Sequence, residues 1–306
     1  MKTAARNAGS CRPLAPRDLD AVVAIDAALG GRTRRAYFQR RLAAAERDAE
    51  RHVQLAVEDD GALAGFMLGR VLEGEFGRSE PELRLESLGV SPAAHGRGLG
   101  AALAGAFEHE ALGRGLALIR TAALWREHEL LGFLDRAGYR LAPVHVLDRE
   151  ATVDYEPGAR DAVEVKLFEK EDLDGVARID RRHTGRDRRG YLCRTLGEAL
   201  AASAVRVSLV ARADDGVAGF VMARVDYGDF GRAEPVAVID TVGVDPLRAR
   251  QGIGRALLSQ LFANLRTLGV ERVETVVAPG NLDLMGFFYN AGLRPAERLS
   301  FFKPLA

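Results

Sequence analysis

The sequence is poor in cysteine, tryptophan and lysine: among 306 residues it has two cysteines, one tryptophan and four lysines. Cys11 and Cys193 stand alone at unrelated positions, which excludes a disulfide framework and a cysteine metal cluster and fits a reducing compartment. The first eighteen residues lack the apolar core of a signal peptide, and no apolar run approaches the length that crosses a membrane. We therefore expect a soluble cytoplasmic protein with no membrane partner.

The chain also lacks an excess of charge of either sign. Lys+Arg and Asp+Glu are both 43, so the net charge is zero, which argues against nucleic acid as a partner. His95, His128 and His183 have no neighbouring ligands at metal-binding spacing, so we expect no metal. The rest of the composition, 47% hydrophobic and 28% charged, is that of a globular protein, and the length suits two domains of about 150 residues each.

One segment occurs twice. Val242–Leu261 reads VGVDPLRARQGIGRALLSQL, and Leu88–Phe107 reads LGVSPAAHGRGLGAALAGAF. Each copy begins as an apolar β-prone run that a proline ends, continues through a glycine-rich loop, and then spaces apolar residues as one buried helical face requires. Glycine lets a ligand approach the backbone, and the first turn of a helix offers unpaired N–H groups that bind phosphate. The pattern indicates a phosphate-binding turn, although a glycine turn that only packs a helix on a sheet also fits it.

This segment resembles the acyl-CoA-binding segment of the GCN5-related N-acetyltransferases, whose signature is Gln or Arg, two residues, Gly, any residue, then Gly or Ala. The glycines that match the signature are Gly98, Gly100, Gly252 and Gly254. The first position of the signature differs in both copies, being His95 in one and Ala249 in the other. The resemblance covers essentially the whole chain and implies an α/β fold of two tandem domains, each with a mixed, mostly antiparallel central sheet flanked by helices.

The same resemblance implies acetyl-CoA as cosubstrate and a primary amine, on a small molecule or a peptide, as the acceptor. In that family the strand before the glycine loop is splayed from its neighbour and pairs with the pantetheine arm, and an exposed N–H there could stabilise an oxyanion. The residues expected to bind the cosubstrate are Val242, Val244, Arg250, Gln251, Gly252, Gly254, Arg255 and Asn281 in the second copy, and Leu88, Val90, Arg97, Gly98 and Gly100 in the first.

The two copies belong to a longer internal duplication. Ile25–Asp26, for example, recurs as Ile179–Asp180, at the same offset of 154 residues that relates the glycine loops. A register kept over this distance predicts two domains with the same elements in the same order. The polar segment near residues 150–160 separates them, so the predicted domains are residues 1–154 and 155–306. We expect either a monomer with two pseudo-dimeric domains or a homodimer.

Each half is predicted to contain a strand, two helices, three strands, a helix, a strand, a helix and a closing strand. In the first half the predicted helices are Arg17–Ala28, Arg34–Arg47, Arg97–Leu112 and Glu127–Arg136. The predicted strands are His52–Val57, Ala62–Val71, Leu83–Val90, Leu116–Ala122 and the closing strand Tyr139–Leu147. This mixed order places helices on both faces of each sheet.

Glu86 and Asp240 occupy the same place in the two halves, each within an otherwise apolar strand that leads into the glycine loop. A carboxylate in a half-buried strand costs free energy unless it is paired or functional, and burial raises its pKa towards the range that suits a base. In the resembling family an acid at this place takes a proton from the acceptor amine, because only the neutral amine attacks the thioester. The alternative is a structural ion pair with an arginine such as Arg84 or Arg70.

Tyr289 is the candidate general acid for the departing thiolate. The tyrosine of the family falls on Leu134 and Phe288 here, and Tyr289 lies one residue further on, about 100° around a helix. The alternative for Tyr289 is an aromatic residue packed in the core. Asn281 stands where an asparagine of the family contacts CoA, whereas the first half has Glu127, which makes the second half the more conventional site.

A second repeated cluster lies in the early helices, where Arg35 with Tyr37 matches Arg189 with Tyr191. In the resembling family these helices shape the acceptor pocket, so the cluster could bind an acceptor carboxylate through a bidentate arginine. We favour a solvated arginine face beside a core tyrosine, because runs of charge usually face solvent.

Two hypotheses for function stay open at this point. The first is an N-acetyltransferase that transfers the acetyl group by direct attack in a ternary complex, with one or both halves active. The second is a non-catalytic acyl-CoA-binding or regulatory module that keeps the fold without the chemistry. The acids at both base positions favour the first, and the changed signature and displaced tyrosine favour the second. A dinucleotide-binding enzyme is disfavoured, because neither half has a glycine loop after its first strand.

Overall fold

The computed structural model describes residues 9–72, 80–201, 207–214, 216–226 and 234–305. It contains two seven-stranded mixed sheets, each flanked by helices. The α/β fold of two tandem domains is therefore confirmed. In this part of the chain no helix combines the length and the apolar composition needed to cross a membrane.

The first half follows the predicted order of elements closely. Its helices are α1 (Leu19–Gly30), α2 (Arg35–Arg47), α3 (Leu99–Gly113) and α4 (His128–Arg136). Its strands are β1 (Cys11–Pro13), β2 (His52–Asp59), β3 (Ala62–Leu72), β4 (Glu82–Val90), β5 (Leu118–Leu124), β6 (Arg140–Leu141) and β7 (His145–Glu150). Except at the closing strand, each predicted element begins and ends within two residues of the observed one, because the apolar periodicity matches the buried faces.

The second half repeats this order. Its helices are α5 (Leu173–Thr184), α6 (Arg189–Ala201), α7 (Ile253–Thr267) and α8 (Leu282–Asn290). Its strands are β8 (Glu164–Leu167), β9 (Leu209–Ala213), β10 (Gly216–Asp226), β11 (Val236–Val244), β12 (Arg272–Val277), β13 (Arg294–Pro295) and β14 (Arg298–Pro304).

The two halves exchange one strand each. The first sheet has the strand order β1-β2-β3-β4-β5-β14-β6, and the second has β13-β7-β12-β11-β10-β9-β8. Strand β14 pairs antiparallel with β5 from Arg298 opposite Leu124 to Pro304 opposite Leu118, and β7 pairs with β12 in the same manner. Each sheet is therefore completed by a strand from the other half of the chain.

The predicted closing strand Tyr139–Leu147 is wrong as a single strand. The chain forms β6 in the first sheet and then crosses at residues 142–144 to form β7 in the second sheet. Pro143 lies in this crossing and has no N–H to donate, so it cannot continue a hydrogen-bonded strand. An apolar pattern predicts that a segment is extended, but it does not predict which sheet the segment joins.

Each sheet has a core on both faces. In the first half, Leu103 and Phe107 of α3 pack on one face, and Phe38 of α2 packs with Phe66 of β3 on the other. Each of these side chains is fully buried, and a buried Phe or Leu stabilises a fold by about 1.5–3 kcal/mol relative to an exposed one. The cores hold α1 and α2 on one face and α3 on the other, so β4 lies between them.

Candidate active site

Glu86 and Asp240 are the extra residues of two equivalent β-bulges. Strand β3 pairs with β4 so that Leu68 faces Ser87 and Gly69 faces Leu85, which leaves Glu86 without an opposite residue. The register between β10 and β11 skips Asp240 in the same way. A bulge changes the direction of a side chain and is frequent beside active sites.

The bulge also changes which residues of the strand face the core. Before it, Leu83 and Leu85 of β4 belong to the core beneath α3, and after it Leu88 and Val90 pack against that core. The inward positions therefore shift from odd to even numbers at Glu86, as one inserted residue requires. The corresponding residues of β11 are Ala237, Ile239, Val242 and Val244.

Strand β4 parts from its parallel neighbour next to the bulge. Among the described residues the pairing of β4 with β5 ends at Arg84, and that of β11 with β12 ends at Ile239. The hydroxyl of Thr121 donates to the carbonyl of Leu85 at 3.0 Å, just beyond the last pair. Further along, the backbone of β4 runs beside a gap between the strands, where an extended ligand could hydrogen-bond to it.

Both bulge carboxylates are buried and paired with arginine. Glu86 Oε1 lies 2.9 Å from Arg41 Nη2 and 3.3 Å from Arg70 Nε, and Asp240 pairs with Arg224. The carboxylate side chains are only 2% and 3% exposed, so these charges need such partners. The structure thus contains the ion pair with Arg70 that the sequence left as an alternative to a catalytic role.

The surroundings of the two carboxylates differ. Thr195 takes the place that Arg41 has in the first half. Asp240 also lines a cavity of about 40 Å³ between the two halves, with Arg84, Thr121 and Glu274 among the other lining residues. A cavity of this size has room for a few water molecules.

The glycine loops have the same backbone in both halves. Gly98 and Gly252 precede α3 and α7 with φ of 81° and 82°. Gly96 has φ of 75°, and Arg250 takes up the equivalent left-handed conformation with φ of 64°. In the described residues, the N–H groups of 96–98 and 250–252 donate to no backbone carbonyl. These loops and the helix N-termini therefore offer free donors to an anion.

Gly100 and Gly254 serve the packing of the loop. A Cβ on Gly254 would lie 2.9 Å from the ring of Phe287, and one on Gly100 would lie 3.2 Å from the ring of Phe133. Glycine at these two places lets the glycine-loop helix approach the next helix closely.

The three arginines predicted to bind a pyrophosphate differ in whether a carboxylate is paired with them. Arg97 is paired with Asp59, and Arg255 Nη1 lies 3.3 Å from Glu156 Oε2. Arg250 is exposed, and no ion pair involves it among the described residues. Gln251 is likewise exposed.

Tyr289 and Asn281 have structural contacts. Tyr289 is 37% exposed, its ring lies under the guanidinium of Arg294, and no described contact joins it to Asp240. Phe288, at the tyrosine position of the family, is fully buried. Asn281 caps α8, where its Oδ1 accepts from the N–H of Leu284 at 3.1 Å. The catalytic and binding roles of these two residues stay predictions.

The repeated arginine–tyrosine cluster has exposed arginines. Arg35 pairs with Asp20 and Arg189 with Asp174, all at the surface. Tyr37 is buried in the core, as the favoured interpretation expects. Tyr191 is only half-buried, and its hydroxyl lies 3.4 Å from Thr241 Oγ1.

Each half has a buried arginine that was not predicted from the sequence. Arg34 Nε donates to Asp26 Oδ2 at 2.9 Å, and Arg188 donates to Asp180 with the same length. These pairs join α1 to α2 and α5 to α6. The repeat of Ile25–Asp26 was a signal for them, because a duplicated acid inside an apolar helix face needs a buried partner.

Chemically, each half combines a buried carboxylate at a bulge, a gap between two parallel strands and an anion-binding loop at the end of the same strand. This arrangement can hold an extended ligand with a phosphate at one end and its other end near a proton acceptor. Among the described residues no group of three or more His, Cys, Asp or Glu side chains could hold a metal ion.

Comparisons with known proteins agree with this geometry. The model of the family described as "Acetyltransferase (GNAT) family" matches residues 23–139 and 178–293, which together are most of the chain. A search among curated proteins found no match.

Several solved structures share the fold at low sequence identity. A tandem GNAT protein from the clavulanic acid biosynthesis pathway is 18% identical with a TM-score of 0.63, covering 97% of this chain and 98% of that one. A GCN5-related N-acetyltransferase from Sphaerobacter thermophilus is 19% identical with a TM-score of 0.59, covering 98% and 96%. A fungal multi-domain β-N-acetylglucosaminidase with a GCN5-related glucosamine N-acetyltransferase region is 16% identical with a TM-score of 0.69. There the match covers 99% of this chain but only 39% of the fungal protein.

Proposed function

We propose that this chain, which belongs to the acetyltransferase (GNAT) family, transfers an acetyl group from acetyl-CoA to a primary amine in its second half. The family supports acyl transfer in general, and the acceptor and the active half are the parts proposed here. The observation that carries the proposal is the bulge carboxylate Asp240. It lies where β11 parts from β12, ten residues before Arg250, the first residue of the glycine loop with a positive φ.

The pyrophosphate of acetyl-CoA would bind the free N–H groups at 250–252 and the N-terminus of α7, with Arg250 adding charge. The pantetheine arm would lie along Val242–Val244, beside the gap between the strands. These residues bind and orient the thioester, and an N–H of the unpaired strand would stabilise the oxyanion that forms on its carbonyl.

In the chemical step the amine nitrogen attacks the thioester carbon and the carbon–sulfur bond breaks. The amine loses one proton, and Asp240 accepts it directly or through a water in the adjoining cavity. CoA leaves as a thiolate and takes up a proton from Tyr289 or from solvent. For Asp240 to act as a base, its ion pair with Arg224 must loosen when the substrates bind.

The second half is favoured because its bulge carboxylate, Asp240, lines a cavity with room for water. In the first half Glu86 Oε1 contacts both Arg41 and Arg70, and such an ion pair gives the buried carboxylate a structural role. The second half has Thr195 in the place of Arg41, and Arg84 lines the cavity beside Asp240, so the surroundings of the two carboxylates differ. The cavity beside Asp240 gives water access to that carboxylate.

The proposal is tested with Asp240→Asn and, as the matched control, Glu86→Gln. We expect Asp240→Asn to lower turnover of an accepted amine by about 100-fold or more, as for loss of a general base, while acetyl-CoA binding is kept. Glu86→Gln is expected to leave turnover within a few-fold of wild type. Native mass spectrometry with acetyl-CoA would count bound molecules. No binding would contradict the proposal, and equal losses from the two variants would contradict the choice of the second half.

A non-catalytic acyl-CoA-binding module is the second candidate. The arginine pairs of both bulge carboxylates favour it, because a buried ion pair accounts for each carboxylate without a catalytic role. This candidate predicts acetyl-CoA binding without acetylation of any amine in a broad panel, and binding that neither variant changes.

A further inference from the structure

Helix α5 and the loop after it border an open depression of about 500 Å³ on the second half. Four arginines line it, together with Ala177 and two aspartates. The arginines are Arg178, Arg181, Arg182 and Arg189, and the aspartates are Asp174 and Asp187. The depression therefore has more positive than negative side chains, and neither bulge carboxylate is among its lining residues.

Two of these guanidiniums are neutralised by carboxylates and two are not. Arg189 pairs with Asp174, and Arg182 Nη1 contacts both carboxylate oxygens of Asp245 at 2.6 and 2.7 Å. Arg178 donates to the carbonyl of Val217 at 3.2 Å. Within the described ranges, neither Arg178 nor Arg181 forms an ion pair, so both keep their charge available to a ligand.

The arrangement of these arginines costs stability in the empty protein. Arg178 is three residues from Arg181 and four from Arg182, so the three side chains share one face of α5. Like charges at this spacing destabilise a helix by about 0.2–0.5 kcal/mol per pair. A bound anion would remove this repulsion.

The equivalent helix of the first half does without these charges. Ala24, Ala27 and Ala28 take the places of Arg178, Arg181 and Arg182. Helices α1 and α5 nevertheless have the same length and end at a glycine in the same left-handed conformation. Arg181 and Arg182 lie in the last turn of α5, where a helix C-terminus favours positive charge. Because α1 ends in the same way with alanines, the fold does not require these arginines.

The depression borders the glycine loop. Asp245, which is paired with Arg182, directly follows the last residue of β11. Its carboxylate accepts a hydrogen bond from the N–H of Leu247. Burial acts to raise the pKa of Asp245, but the Leu247 N–H and the guanidiniums of Arg182 and Arg178 outweigh it and hold the pKa below its usual range. Arg178 and Arg182 are thus close enough to Asp245 to act on its charge.

We propose that this depression binds a small dianion, carried as a phosphate or as two carboxylates, through Arg178 and Arg181. Two guanidiniums on one helix face match two anionic oxygens, and Arg side chains recognise both phosphate and carboxylate. Asp174 and Asp187 also line the depression, and their negative charge disfavours a long polyanion and favours a small ligand. The proposal does not depend on acyl transfer, because no bulge or glycine-loop residue takes part.

Calorimetric titration of the full chain with inorganic phosphate and, separately, with succinate tests the site and distinguishes the two ligand types. We expect saturable binding of at least one, weakened about tenfold by Arg178→Ala with Arg181→Ala, since loss of charged hydrogen bonds at an open surface costs on the order of 1–2 kcal/mol. Raising the salt concentration should weaken it further. The double variant should fold normally, with a melting temperature equal to or above that of the wild type.

The matched control is Arg17→Ala with Arg47→Ala, which removes the same charge from exposed positions of the first half. It should leave the titration unchanged. The proposal is overturned if neither probe binds. It is also overturned if both double variants weaken binding equally, or if Arg178→Ala with Arg181→Ala leaves binding unchanged. In those two cases the anion binds elsewhere, for example at a glycine loop.

Discussion

Glu86 and Asp240 occupy equivalent β-bulges in the two halves of the chain. The backbone around the two bulges is similar, but the neighbouring side chains differ. The first half adds Arg41 beside Glu86, where the second half has Thr195. The second half adds arginines on α5, where the first half has alanines. The shared backbone shows that the bulge, the strand gap and the glycine loop belong to the fold. The side chains around the two carboxylates differ: Glu86 contacts two arginines, whereas Asp240 is paired with Arg224 and lines a cavity.

The exchange of strands limits how independent the two halves can be. Strand β14 lies between β5 and β6, so the end of the second half is an internal strand of the first sheet. Strand β7 has the corresponding place beside β12. Differences between the two sites therefore arise on a frame that each half completes for the other.

Removal of β14 is expected to have the largest effect, and to affect the two halves unequally. Deleting residues 297–306 takes away seven paired residues of the first sheet, with Phe301 from its core, and leaves β7 in the second sheet. We expect the first half to lose stability by an amount comparable to the whole 5–15 kcal/mol of a domain. Hydrogen exchange measured by mass spectrometry should show lost protection in β5 and retained protection in β12. Equal protection of both strands would contradict this dependence.

Exchanging a pair of side chains between the two cores tests how their packing differs. A Cβ on Gly69 would lie 2.3 Å from the ring of Phe107, whereas the second half has Ala223 and Leu261 at these places. Gly69→Ala should destabilise the protein by about 1–3 kcal/mol through overpacking.

Phe107→Leu is the matched second change, because together with Gly69→Ala it reproduces the pair of the second half. The double variant should be more stable than the sum of the two single effects predicts, as measured by urea unfolding in a double-mutant cycle. Additive effects would show that the ring does not limit the side chain at position 69.

Particular residues show what could be predicted from the sequence. Helix and strand bounds followed from apolar periodicity, and the positions of Glu86 and Asp240 followed from polar residues in apolar strands. The bulge did not follow, because a bulge is a property of strand pairing, which residues on one strand do not reveal. The destination of His145–Glu150 was missed for the same reason. The buried pair of Arg34 with Asp26 was missed because the neighbouring Arg35, with the same sequence pattern, faces solvent.

Acid sensitivity should also differ between the halves. Asp245 has its pKa held below the usual value and is replaced by Ser91 in the first half. A carboxylate with a lowered folded pKa contributes stability above its unfolded pKa, of about 4, and loses it as the pH falls through the folded value. Arg182→Ala should cost about 1 kcal/mol at neutral pH, a modest value because Arg182 is 40% exposed. It should also reduce the acid-dependent loss. Hydrogen exchange of the 245–252 loop at pH 3 and pH 7 measures this, and an unchanged pH dependence in the variant would contradict it.

The smallest effect on stability is expected at Arg250, a non-glycine residue in a left-handed conformation. Arg250 adopts the left-handed conformation that Gly96 adopts in the first half, and this conformation costs a residue with a Cβ about 1 kcal/mol. Arg250→Gly relieves that cost but adds chain entropy to the unfolded state, so stability should change by less than about 1 kcal/mol. The same variant should weaken acetyl-CoA binding to the second half several-fold, because Arg250 has no described ion pair and is available to a pyrophosphate. Gly96→Arg is the reverse exchange in the first half. It places a side chain on a residue with a left-handed backbone and should therefore lower stability. Calorimetry with acetyl-CoA on both variants separates the two contributions: if Arg250→Gly leaves binding unchanged, the left-handed arginine belongs to the turn and not to the ligand site.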